Sequence, residues 1–489
     1  MFYKPKDAWV GDAIPFWDGR YRVFFLADRR AGGSFGEKTS WDVVETDDLL
    51  HFAERGTAIA PGDEAAHDRN AYTGSALKDT SGRQHIFYTG HNPKITQDGI
   101  PLQVVLHATS TDGQSWAKDQ EFVLGADGQT YDVHDWRDPF VFWSEEEGRY
   151  IMLVTARLRG KPAREGGCIA ALYSDDLENW TFGEPFFQTD QYVTLECPDY
   201  FHWGDWHYLV YSTFSDRFVT HYRKSRSFRG PYLSAASDTF DGRGCYAIKT
   251  AGTELSRAAF GWVPSKTGNS DYGDWDWAGT LIAHELWQDA DGDLQVRIPA
   301  AIKSVFSEAT SPALDYAVGY NFAVDDSTLR LAREDGQSKC VLQELRPQTL
   351  IEARFSNWSA RDFGVAFRCD ETFDQGYFIR FEPAFNRIVF DMWPRRIPGE
   401  FQWQIAGDRP QLIELERPLS FEGLEDIVLK LIVEDDIFVL NVNDRVAMTG
   451  RCYNFPEGRL AFFSREGAVT VSDIAIKNMP QDGIGEEEN

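Results

Sequence analysis

The sequence predicts an all-β protein: a five-bladed β-propeller over residues 1–310, followed by a C-terminal β-sandwich over 341–480. Three observations predict it. Residues 1 to about 300 are short apolar and aromatic runs broken by Gly, Asp and Asn, with almost no helical periodicity. An acid-then-aromatic pattern recurs at even spacing, in Asp48-Leu49-Leu50-His51-Phe52, Asp112-Gly113-Gln114-Ser115-Trp116 and Asp176-Leu177-Glu178-Asn179-Trp180, each after a run ending in Ser or Thr. Beyond residue 341 alternation returns without that repeat. At 489 residues the chain is too long for one hydrophobic core, so two domains are expected.

The runs Phe16–Leu26, Gln84–Tyr88, Val104–Ala108, Phe140–Trp143, Tyr150–Thr155, Cys168–Tyr173 and His207–Ser212 read as strands. Small antiparallel sheets, each closed by an Asp turn and an aromatic plug, are the mark of a propeller, and roughly 60 residues per unit over about 300 gives five blades. Residues 311–340 are polar and read as a transition segment. The sandwich strands are Leu350–Phe355, Gly364–Arg368, Gly376–Phe381, Arg387–Met392, Asp426–Val433, Ile437–Val442 and Arg459–Phe463. The acidic tail, 481–489, reads as disordered.

The formal charge of −28 argues against nucleic acid and anionic membranes as partners and suits a neutral substrate. Aromatics reach 14%, including 16 Trp, which fits either sugar stacking or an aromatic-rich β core. No stretch of 18 or more apolar residues and no basic-then-apolar N-terminal segment is present, so a cytoplasmic protein is expected. The six Cys are scattered without a CxxC pair and read as reduced thiols. Either a monomer or a homodimer fits.

Three acids sit in segments built to hold them. Asp12 lies in Trp9-Val10-Gly11-Asp12-Ala13, ahead of the Phe16–Leu26 run. Asp138 lies in Trp136-Arg137-Asp138-Pro139-Phe140, where the Pro favours extended backbone before it and ends the strand. Glu196 lies in Leu195-Glu196-Cys197-Pro198-Asp199, an apolar setting that raises a carboxyl pKa. Three carboxyls on separate β segments suit glycoside cleavage, one attacking the anomeric carbon, one shuttling a proton and one holding the sugar. Asp289-Ala290-Asp291-Gly292-Asp293 reads as a hairpin turn rather than a calcium loop. Asp271, Asp274 and Asp276 around Trp275 and Trp277 form a second cation candidate, and His284-Glu285 lacks a second His. No metal or cofactor is expected.

These segments resemble glycoside hydrolase family 32, the invertase, inulinase and levanase family. Trp9-Val10-Gly11-Asp12 is similar to its Trp-Met-Asn-Asp nucleophile motif. Trp41-Asp42-Val43 resembles its first-blade closure, Tyr72-Thr73-Gly74-Ser75 its Phe-Thr-Gly-Ser loop, Arg137-Asp138-Pro139 its Arg-Asp-Pro motif and Glu196-Cys197 its Glu-Cys motif. Cys245-Tyr246-Ala247 and Trp277-Ala278-Gly279 look like its fourth- and fifth-blade segments. The resemblance implies Asp12 as nucleophile, Glu196 as acid/base and Asp138 as transition-state stabiliser. It also implies Trp9, Trp41, Tyr72, Ser75, Arg137, Tyr246 and Trp277 at the substrate. The activity implied is retaining hydrolysis of β-fructofuranosides without a cofactor, with Asp12 and Glu196 roughly 5–5.5 Å apart. Three positions depart from the pattern. Gly11 replaces an Asn, Leu26 a Gln and Leu195 an aromatic, so groups that read hydroxyls give way to small or apolar ones. Fructosyl transfer, a related furanosidase such as an arabinofuranosidase, and a non-catalytic sugar binder remain alternatives.

Overall fold

The computed structural model describes residues 2–30, 33–310, 312, 317–325, 327–394 and 414–480. They fall into two compact units, Met1–Ser265 with Asp276–Gln295, and Lys266–Trp275 with Val296–Asn489. The first unit is the propeller. Its five inner strands are Trp9–Trp17, Asn70–Lys78, Tyr131–Ser144, Glu196–Trp203 and Tyr246–Gly252. Each packs on the next and the fifth packs on the first, which closes the ring. Every inner strand opens its own antiparallel blade, I to V in chain order, and Val10 of blade I also pairs with Gly279 of blade V.

The repeat seen in the sequence is turn chemistry. In blades I to III the hydroxyl of Thr46, Ser110 or Ser174 accepts the amide three residues on, from Leu49, Gly113 and Leu177. The following Asp caps the turn: Asp48 takes the Leu50 and His51 amides, Asp112 those of Gln114 and Ser115, and Asp176 those of Glu178 and Asn179. The residue between is left-handed each time, with φ of 65° at Leu49, 71° at Gly113 and 67° at Leu177. The aromatic that ends the motif then reaches the preceding blade, Trp116 against Phe24 at 5.9 Å and Trp180 against Phe87 at 5.7 Å.

Two expectations at the start of the chain change. The Phe16–Leu26 run is two strands, Trp9–Trp17 and Tyr21–Asp28, because Asp18-Gly19-Arg20 makes a hairpin turn with Gly19 at φ 82°. Asp12 therefore lies inside the first strand rather than ahead of it.

The second unit is the sandwich, one continuous antiparallel path from Leu415–Pro418 to Val446–Arg451, closing on a core that includes Ile351, Phe355, Phe363, Phe381, Leu429 and Phe462. Of the expected transition segment 311–340, the described strands belong to it. Val318–Tyr320 and Phe322–Asp325 pair with Thr328–Glu344, which in turn pairs with the 20-residue strand Arg459–Asn478. In Thr328–Glu344 the polar Arg330, Arg333 and Glu334 lie exposed while Leu329 and Leu331 enter the core, so polarity there reports one-sided burial and not a linker. The tail 481–489 lies outside the described residues. No described helix is long and apolar enough to cross a membrane.

Candidate active site

The same irregularity repeats on all five inner strands. Each carries one extra residue against its neighbour, between Val10 and Ala13, Tyr72 and Gly74, Arg137 and Phe140, Glu196 and Asp199, and Tyr246 and Lys249. A bulge breaks strict in/out alternation and re-aims consecutive side chains. Asp138, Cys197 and Ala247 take φ of 57°, 52° and 50° within these bulges. Asp138 is thus mid-strand and left-handed, not extended at a strand end. Pro139 is tolerated because an inner strand turns one unpaired edge toward the axis, where a missing N–H leaves no ladder bond open. The bulge also puts Arg137 on the same side as Asp138, where alternation would have separated them.

The bulges gather the three acids around one pocket of about 520 Å³. Asp12 accepts a hydrogen bond from Thr73 Oγ1 at one oxygen and from Trp262 Nε1, at 3.0 Å, at the other. Burial, and then the charge of Asp138, push its pKa up to about 6, against the lowering effect of those two donors. Asp138, 4% exposed, accepts the Cys197 amide at 3.0 Å and lies 3.8 Å from Arg137 Nε. Glu196 accepts Arg137 Nη2 at 3.0 Å and the Tyr246 hydroxyl at 2.8 Å. Burial raises the Glu196 pKa; Arg137 pulls it back only in part. Arg137 is itself fixed by Asp135, at 2.8 Å, and by Gln103.

Of the substrate residues read from the sequence, Tyr72, Arg137, Tyr246 and Trp277 line this pocket, and Trp9, Trp41 and Ser75 do not. Trp41 is fully buried and donates its indole N–H to Tyr72 O, tying blade I to blade II. Ser75 Oγ accepts the Val141 amide and ties blade II to blade III. Trp9 carries the Arg30 guanidinium over its ring at 3.8 Å. Tyr246 stands on the fifth inner strand, one blade later than expected. Sequence reasoning missed Thr73 and Trp262, the two donors to Asp12, and the rim residues Phe35, Phe214 and Phe218. It also missed Lys249, a buried cation on blade V whose Nζ donates to Gly74 O at 2.8 Å and so braces the Thr73 bulge. Only the Tyr72-Thr73-Gly74-Ser75 motif signalled any of these. Asp271 accepts the Tyr377 hydroxyl and the Tyr453 and Asn454 amides, and Asp289 caps its own hairpin turn. Among the described residues no group of three His, Cys, Asp or Glu is arranged to hold a metal ion.

A family model for the glycosyl hydrolases family 32 N-terminal domain matches residues 3–297, more than half of the 489. The chain belongs to glycosyl hydrolase family 32. Raffinose invertase of Escherichia coli is 28% identical over 215 residues, 42% of each chain. The levanbiose-producing levanase of Bacillus subtilis is 25% identical over 203 residues, 40% of this chain and 36% of that one. The chain thus aligns with less than half the length of these curated relatives. Solved structures extend the likeness of fold over nearly the whole chain. The exo-inulinase of Aspergillus awamori superposes with a TM-score of 0.71 at 16% identity, covering 98% of this chain and 97% of that one.

As a family 32 chain it carries a distinctive first motif, and the structure gives the reason. A Cβ on Gly11 would stand 2.6 Å from Trp277 Cη2 and 3.2 Å from Leu26 Cβ. The Trp277 ring, set at 63° to Trp262 with centroids 6.1 Å apart, occupies the space that a side chain at position 11 would need. Gly11, Leu26 and Trp277 therefore pack as one matched set. Gly11→Ala is expected to displace Trp277, to cost about 1–3 kcal/mol in stability through overpacking, and to lower kcat/KM. Chemical denaturation with steady-state kinetics checks this; an unchanged pair of values would show that the ring is not held there.

Proposed function

We propose that the protein is a retaining hydrolase of neutral, unphosphorylated β-fructofuranosides of the sucrose, fructo-oligosaccharide or fructan type. The observation that carries this reading is the convergence of Asp12, Asp138 and Glu196 on one pocket of a family 32 propeller. Asp12 attacks the anomeric carbon while Glu196 protonates the departing oxygen, forming a glycosyl ester on Asp12. Esterification removes the Asp12 charge. The Glu196 charge raises the Asp12 pKa, and the repulsion acts equally in return; with Asp12 esterified it is gone, so Glu196 gives up its proton more readily, as a base that activates water requires. Asp138 and Arg137 would hold ring hydroxyls, and the Asp138 carboxylate would face the developing positive charge.

Charge supports a neutral substrate. Several curated relatives are named sucrose-6-phosphate hydrolases. Here Arg137 is the one Lys or Arg among the lining residues, and Asp135 and Glu196 already engage it beside three carboxyls. A phosphate dianion would meet net repulsion. Turnover of sucrose, kestose, inulin and levan, with sucrose-6-phosphate and arabinofuranosides as controls, is expected to favour a fructoside over sucrose-6-phosphate by about tenfold or more in kcat/KM. NMR of the first product is expected to show retained configuration. A preference for the phosphorylated sugar, or inversion, would sink the respective claim. Transfer to a sugar hydroxyl is the second reading, favoured by the half-exposed rim rings Phe214 and Phe218; Phe218 stacks on Tyr246 with centroids 4.0 Å apart. Oligosaccharides longer than the donor at high sucrose would identify it.

A further inference from the structure

The outer face of the sandwich holds a second built pocket. In the strand Gly376–Glu382, Tyr377, Ile379 and Phe381 enter the core, so Phe378 and Arg380 turn outward. Asp391 pairs across from Phe378, and Gly364 lies between Arg380 on one side and Phe463 on the other. Phe378, Arg380, Asp391 and Phe463 line a cavity of about 400 Å³ on this face. That volume falls within the range of about 300–1,000 Å³ usual for small-molecule sites.

Its walls combine two chemistries. Phe373, Phe378 and Phe463 form an aromatic cluster with ring centroids 5.1–6.2 Å apart, and Trp393, 36% exposed, stands on the same rim. Beside them Arg380 Nη1 donates to Asp391 Oδ2 at 3.2 Å, with Asp391 only 4% exposed. Shielding an ion pair on the outside of a sheet costs desolvation that an apolar pair would avoid. Arg465 is paired as well, with Asp362. With its cations matched by carboxylates, the pocket suits a neutral ligand that offers both an apolar face and hydroxyls.

We propose that this pocket binds a sugar unit of an oligo- or polysaccharide, rings against the C–H face and the Arg380–Asp391 pair on the hydroxyls. The choice of fructan as the first ligand rests on the function proposed above; the site does not. Affinity electrophoresis of the full chain tests it, in gels containing inulin, levan, xylan or arabinan, with Trp393→Ala and Arg380→Gln alongside. A fructan is expected to retard the wild type, and each variant is expected to bind roughly tenfold more weakly, the loss of one ring or one charged pair, with an unchanged thermal midpoint. Retardation by a non-fructan glycan that both variants lose would support the site and count against the fructoside reading. Equal retardation of wild type and both variants, or none by any glycan, would overturn the site. A variant with a lowered midpoint is replaced by Phe378→Leu, which keeps an apolar side chain and removes only the ring.

Discussion

Replacing Asp12 by Asn is expected to abolish turnover and, at neutral pH, to make the protein more stable. An amide cannot form the glycosyl ester, and removal of a covalent nucleophile costs roughly 10⁴- to 10⁶-fold in kcat in well-studied enzymes. The stability gain follows from the raised pKa. Asp12 titrates near 6 in the fold and near 3.8 unfolded, so the native state binds the proton more tightly. Between those two values stability falls as pH rises, and above about 6 the ionised carboxylate is a standing cost of roughly 3 kcal/mol. Asn carries no charge and escapes that cost. Its oxygen keeps the Trp262 N–H, and its NH2 faces Thr73 Oγ1, a hydroxyl that accepts as well as donates. A net gain of about 1–3 kcal/mol is expected at pH 7.5, fading to nothing by about pH 4, where wild-type Asp12 is itself neutral. Denaturant unfolding at the two pH values reads the difference directly. Equal midpoints at pH 7.5 would mean that Asp12 is well solvated, and residual turnover near wild type would remove it as nucleophile.

What the sequence disclosed and what it hid divide along physical lines. The blades were legible because their turns use side chains that name themselves. Thr46-x-Asp48, Ser110-x-Asp112 and Ser174-x-Asp176 each need a hydroxyl and a carboxyl at fixed offsets to cap the same turn, and the plugs Trp116 and Trp180 follow at a fixed distance. The three acids were legible through their motifs. The bulges were not, because a bulge is a register relation between two strands and leaves little trace in one. So Asp138 read as extended before Pro139, and nothing in the sequence aimed Arg137 to its side. Trp262 and Lys249 were hidden for a related reason. An indole and an ammonium in apolar runs of blade V look like core and noise until the ring closes and brings them to Asp12 and Gly74. Trp41 and Ser75 misled in the opposite direction. They sit in motifs that surround the site, yet their hydrogen bonds join blades.

Glu196→Gln is the companion test, and its signature is selectivity rather than size alone. General acid–base catalysis contributes about 10²- to 10⁴-fold, so turnover of a natural fructoside is expected to fall by that much. A fructoside whose leaving group is a good one departs without protonation, and its first step should be nearly unaffected, so that hydrolysis of the ester becomes limiting and a burst of released aglycone appears. The pH profile separates the two acids further. Wild-type kcat/KM should fall below about pH 6 as Asp12 takes up its proton. It should fall again at higher pH as Glu196 loses the proton that burial favours and Arg137 opposes. These limbs belong to the coupled pair, since the Glu196 charge bears on the Asp12 pKa. Gln at 196 removes one member, so the alkaline limb should vanish while the acid limb, set by Asp12, should remain near pH 6. A purely structural role for Glu196 would lower both limbs together and leave their positions where they were.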